Sequence, residues 1–149
     1  MSAHEKRDMG EVNLLKFITE HIFLVALAAV SGGMLVWPAI RRGAGGPSIS
    51  TLQATLLINQ QNALVLDVRD AAEYEKGHLL NARHLAMGEL AARSAEIEKY
   101  KARPVIVVCE SGNRSDKAAA ALRKQGFGQV FSLSGGMAAW KQAGLPVEK

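Results

Sequence analysis

The chain has 149 residues, room for one ordinary domain and an appendage but not for two full domains. Its formal charge is +4 at pH 7, yet from Pro47 onward Lys and Arg alternate with Asp and Glu and build no basic block, so nothing marks a nucleic-acid binder. The single cysteine, Cys109, excludes an intrachain disulfide framework, a CxxC redox pair and a cysteine-rich zinc site, and a lone free thiol suits a reducing compartment.

Residues 1–20 form a short mixed-charge segment. Between His21 and Arg41 lie 19 residues without an ionisable group. As a helix they are long enough to cross a hydrocarbon core of ~30 Å. Trp37 suits the interfacial aromatic belt, and Arg41-Arg42 suit a stop at the headgroups. Residues 21–41 are therefore read as one transmembrane helix in contact with the lipid bilayer. A cleaved signal peptide is the rival, with Lys16 closing its charged region and Ala26-Leu27-Ala28 as the cleavage site. The apolar run exceeds the usual signal core of ~7–15 residues, which favours the anchor. The free thiol and the arginine pair place the C-terminal domain on the cytoplasmic side of the cell inner membrane, in a single-pass arrangement. Ala28 and Gly32, like Ala29 and Gly33, have the small-xxx-small spacing of weak self-association in membranes. Residues 42–47, rich in glycine and ended by Pro47, are a linker.

Residues 48–149 form the domain. TLQATLLINQ predicts a helix with Thr51 near its cap, ALVLDV a buried strand, and AAEYEKG a short helix ended by Gly77. ARHL is a brief strand and MGELAARSAEIEKY an amphipathic helix with a solvated charged face. PVIVVC is the most apolar strand, and SDKAAAALRKQG is a helix stopped by Gly126. QVFSL is the last strand before the helix GGMAAWKQAG, in which Trp140 is a core anchor. Strands alternating with helices, with near-continuous Val/Ile/Leu runs, predict an α/β fold whose parallel sheet is covered on both faces. Ligands of such sheets bind beyond the carboxyl ends of the strands, and Cys109 stands at one of them.

After Cys109 the chain reads Glu110-Ser111-Gly112-Asn113-Arg114, and Ser115 opens the next helix. A tight turn between strand and helix points successive backbone N–H groups inward, and the helix N-terminus adds partial positive charge. Such a cradle stabilises an ionised sulfur. Gly112 supplies a backbone conformation that a side chain opposes. Ser115 donates to the sulfur or caps the helix, and Arg114 neutralises an incoming anion. Elsewhere, Asp67 is expected to bond loop backbone, Arg69 to pair with Glu73 or Glu75, and His78 to be structural. The four histidines do not cluster and His84 has no partner at ligand spacing, so neither metal nor cofactor is inferred.

Three segments resemble the rhodanese family of sulfurtransferases. They are LDVRDAAEYEKGHLLNARHL, PVIVVCESGNRS and LSGGMAAWKQAGLPV, and the resemblance spans about residues 48–148. It implies a rhodanese-like domain with a central, mainly parallel sheet flanked by helices. It also implies that Cys109 is the nucleophile, taking sulfane sulfur from a small-molecule or protein donor as a persulfide and passing it to a thiol acceptor. Residues 110–115 then bind substrate. Glu110 departs from the neutral or basic residue many members carry there, and if it faces the pocket mouth it opposes a dianionic donor such as thiosulfate. Two alternatives are a membrane-tethered binding or adaptor module with little turnover, and a cysteine phosphatase. The four residues between Cys109 and Arg114 suit a sulfur atom, whereas phosphatases of similar fold have one more.

Overall fold

The computed structural model describes residues 14–43 and 46–149. Residues 1–13 of the N-terminal segment and 44–45 of the linker lie outside the described residues. The chain divides into two compact units, Met1–Arg42 and Gly43–Lys149.

In the first unit, α1 (Leu14–Glu20) precedes α2 (Ile22–Gly43). Phe23, Leu27, Val30, Met34 and Leu35 on α2 are all exposed. Among the described residues no single helix is long and apolar enough to cross a membrane. Leu14–Glu20 and Ile22–Trp37 pass that test by length and composition only as a pair, bent by 88°. The one straight span expected over residues 21–41 is thus replaced, in what is described, by this bent pair.

The second unit holds a five-stranded sheet of order β1-β6-β5-β2-β4, made of Ser48–Ile49, Val130–Leu133, Val105–Val108, Leu64–Asp67 and Arg83–His84. All four pairings are parallel. The central strands are buried at every position, as expected of strands covered on both faces. Side chains alternate between two cores. Leu64, Leu66, Val105 and Val107 pack with Leu90, Ile97, Leu122 and Phe127 on one face. Val65, Ile106 and Val108 pack with Ala54, Met137 and Trp140 on the other.

Helix α3 (Thr51–Gln61) is capped by Ser50, one residue before the expected Thr51. The Gln53 N–H donates to Ser50 Oγ at 3.3 Å and the Ser50 N–H to Gln53 Oε1 at 3.0 Å, a reciprocal closure of the first turn. After β2 come α4 (Ala71–Glu75), β3 (His78–Leu79) and β4. The single helix expected over 87–100 is broken. Met87–Glu89 and Ser94–Tyr100 are 3₁₀ turns flanking α5 (Leu90–Arg93). Ser94 Oγ donates back to the Ala91 carbonyl at 3.4 Å, a local competitor of the helical ladder, while buried Leu90 and Ile97 keep the segment on the sheet.

Helix α6 (Asn113–Lys124) follows β5, α7 (Gly136–Gln142) follows β6, and β7 (Val147–Glu148) ends the chain. β7 pairs antiparallel with β3, an association not expected from sequence. Trp140 is buried, as expected of a core anchor, and its indole N–H donates to the Pro146 carbonyl at 2.9 Å.

Candidate active site

Cys109 follows the last residue of β5 in the centre of the sheet, and α6 begins four residues later. The parallel sheet therefore delivers the thiol to the N-terminus of a twelve-residue helix. That helix starts at Asn113, two residues before the expected Ser115. The backbone turns at Gly112, whose φ of 104° lies in the region that glycine tolerates.

The Gly112 N–H donates to Cys109 Sγ at 3.0 Å. The sulfur is buried, with Cys109 only 1% exposed. Ser115, expected to donate to the sulfur or cap the helix, spends its proton on the Gly112 carbonyl at 2.8 Å. The thiol donates to Ser115 Oγ at 3.5 Å, and Ser132 Oγ stands 2.8 Å from the same oxygen. Since Ser115 is already a donor, Ser132 fills the donor role toward it. Sequence reasoning missed Ser132. It lies on β6 and its only signal was a hydroxyl inside an otherwise apolar strand.

The loop is held from outside by α7. The Met137 N–H donates to the Cys109 carbonyl at 2.8 Å and the Ala138 N–H to the Glu110 carbonyl at 3.2 Å. With these carbonyls tied to α7, the Gly112 amide is left to face the sulfur. Gly136, with φ of 56°, lets the two backbones approach.

The charged residues pair differently from expectation. Arg69 does not reach Glu73 or Glu75. It is 1% exposed, and its guanidinium clasps Asp67 through Nε and Nη2 at 2.7–3.1 Å. Arg69 also donates to the Gly77 carbonyl at 2.8 Å and to Glu110 Oε2 at 3.2 Å. Asp67 bonds loop backbone as expected, accepting the Arg69 N–H at 3.0 Å. Glu73 instead takes Arg114 in a bidentate pair, both contacts 2.7 Å. Arg114 is thus already neutralised by a carboxylate that sequence reasoning did not place at the site. Ser111 and Asn113 are exposed, and among the described residues neither side chain bonds the sulfur.

His78 and His84 are structural in their contacts. Each donates a ring N–H to a backbone carbonyl, His78 Nδ1 to Tyr74 at 3.0 Å and His84 Nε2 to Arg69 at 2.7 Å. Both rings stack on Tyr74.

Hydrogen bonds from Arg114 hold the Glu73 carboxyl down to about 2, against the opposing effect of burial. The folded value is lower than the ordinary 4.5, so the stabilisation is complete above that pH and is lost as pH falls toward 2. For a pair about one-third exposed, solvent screening leaves roughly 1 kcal/mol. Glu73→Gln is expected to lower Tm at pH 7 and to match the parent near pH 2. A Tm gap that stayed constant over that range would contradict the pairing.

A parallel sheet covered on both faces, with a thiol in a strand-to-helix turn, defines the class of fold. Residues 50–143 match the family model of the Rhodanese-like domain, and the chain belongs to the rhodanese-like family. A relative from Escherichia coli K12, the uncharacterised protein YibN, is 36% identical over 136 residues, covering 90% of this chain and 95% of that protein. The thiosulfate sulfurtransferase GlpE of Coxiella burnetii is 42% identical over 93 residues, covering 62% of this chain and 85% of the relative. Among solved structures, a rhodanese-related protein from Thermoplasma volcanium is similar at a TM-score of 0.60 and 30% identity, covering 68% of this chain and 97% of that one.

Proposed function

We propose that the protein is a membrane-anchored sulfurtransferase that carries sulfane sulfur on Cys109. The observation that carries this reading is the 3.0 Å hydrogen bond from the Gly112 amide to Sγ at the head of α6. A donor of this kind stabilises both a thiolate and the persulfide formed from it. The Cys109 thiolate attacks the outer sulfur of a donor, the donor's sulfur–sulfur bond breaks, and sulfite or a thiolate leaves with the bonding electrons. An acceptor thiolate then attacks the terminal sulfur of the Cys109 persulfide and regenerates the thiolate. This is covalent catalysis with ping-pong kinetics. The backbone of residues 110–115 forms the cradle, Arg114 braces it through Glu73, Ser115 holds the Gly112 carbonyl, and no cofactor enters.

The anchor is residues 21–41, with the catalytic domain on the cytoplasmic side. Its support is the exposed apolar surface of α2 and a similarity to YibN that reaches well beyond residues 50–143.

The test is mass spectrometry of the full chain in detergent after exposure to thiosulfate or a small organic persulfide. The expected result is a gain of one sulfur on Cys109, removed by cyanide or excess thiol and absent in Cys109→Ser. A chain that loads from neither donor overturns the enzyme reading. The burial of Cys109 would then favour a binding module that keeps the fold.

A further inference from the structure

We infer that the charges around Cys109 match it to sulfane donors of low charge, organic persulfides above all, and set it against the thiosulfate dianion. This rests on the sulfurtransferase reading and deepens it.

Two guanidinium groups stand at the loop, and both are committed to protein carboxylates. Arg114 gives both terminal nitrogens to Glu73 at 2.7 Å, and Asp70 lies 3.9 Å from its Nη1. Arg69 is held by Asp67 and by the Gly77 carbonyl, and its remaining Nη1 meets Glu110 at 3.2 Å. Two cations thus face four carboxylates, and no other described cation is ion-paired with any of these four. Asp67 is sealed in the interior, but the Glu110 side chain is 46% exposed beside the nucleophile and Asp70 is 83% exposed. An approaching donor therefore meets carboxylate at the rim, with no uncommitted guanidinium among these groups. Beside these paired side chains, the positive potential shown at the sulfur is that of the Gly112 amide and the α6 N-terminus, which suits one sulfur anion rather than a doubly charged oxyanion.

Repulsion between two excess negative charges and each further charge on a donor, through partly screened water-like surroundings at ~8 Å, amounts to roughly five- to ten-fold in rate at low salt. The chemistry balances for the favoured donor. The Cys109 thiolate attacks the terminal sulfur of R–S–S⁻ or its protonated form, the sulfur–sulfur bond breaks, R–S⁻ leaves, and a Cys109 persulfide results without any net oxidant.

The deciding measurement is the rate of Cys109 persulfide formation in the full chain in detergent, by rapid quench and mass spectrometry. The donors are thiosulfate and 2-hydroxyethyl persulfide, each at low and high salt. The unmodified chain is expected to load faster from thiosulfate as salt rises, because screening relieves like-charge repulsion. Loading from the persulfide should change less. Glu110→Gln is expected to speed thiosulfate loading roughly three- to ten-fold at low salt and to raise it relative to persulfide loading. Thiosulfate loading that slows with salt, or that Glu110→Gln leaves unchanged, overturns the inference and leaves sulfur transfer standing. Loading from neither donor removes the enzyme reading itself. Should Glu110→Gln misfold, the salt dependence of the unmodified chain decides alone.

Discussion

Arg69→Met is expected to destabilise the domain by about 3–5 kcal/mol, the usual effect of removing one partner of a buried ion pair. Asp67 is 0% exposed and accepts from the Arg69 backbone and guanidinium. Without the guanidinium its carboxylate is left in the interior with the Arg69 N–H as its one remaining donor among these. The Gly77 carbonyl and Glu110 lose a donor as well. For a domain of this size the expected fall in Tm is on the order of 15 °C or more. Methionine keeps much of the side-chain volume, so the loss is electrostatic rather than a cavity. The double variant Asp67→Asn with Arg69→Met is therefore expected to recover part of it, since no buried charge is then orphaned. Thermal unfolding of the three chains checks this. A single variant within about 1 kcal/mol of the parent would show that the clasp contributes little.

Gly136→Ala is expected to disable the thiol without touching any side chain of the site. A methyl group at that position would overlap the carbonyl oxygen of Cys109 and approach the Glu110 carbonyl carbon and oxygen to 2.7 Å. The φ of 56° adds backbone strain for any residue but glycine. Backbone cannot swing aside as a side-chain tip does, so the loop must shift or α7 must lift. Either displaces the Gly112 amide from the sulfur. A misplacement of that order costs about 100-fold where geometry controls rate, and sulfur loading at Cys109 is the readout. Gly126→Ala is the control. Gly126 also has a positive φ, 94°, but nothing lies within 4 Å of the added methyl. It should lose about 1–2 kcal/mol of stability and keep its loading rate. Equal loading by the two variants would separate the reactive turn from α7.

The sheet was legible because its strands carry their own signal. Val105–Val108 and Leu64–Asp67 are short β-branched or leucine runs between loop residues, the pattern that strands of a doubly covered sheet carry. The placement of Cys109 beyond a strand end followed from the same reading. Pairing of distant charges was not legible. Glu73 and Arg114 are 41 residues apart, and the local expectation that Arg69 would reach Glu73 ignored that Asp67, two residues away, sits on the same buried edge. Ser132 went unnoticed because register between β5 and β6, not sequence spacing, brings its hydroxyl to Ser115. The broken helix over 87–100 reflects a similar limit, since its apolar period fits an α-helix while its local side-chain bonding favours tighter turns.

The dependence of the reactive turn on α7 has a consequence for how the protein is made. The carbonyls of Cys109 and Glu110 find their donors in a segment synthesised later. While the chain emerges from the ribosome, those two carbonyls have no such donors until the last helix has been translated and docked. A chain truncated before Gly136 would keep the core side chains that surround Cys109 but lose the two donors that fasten its loop.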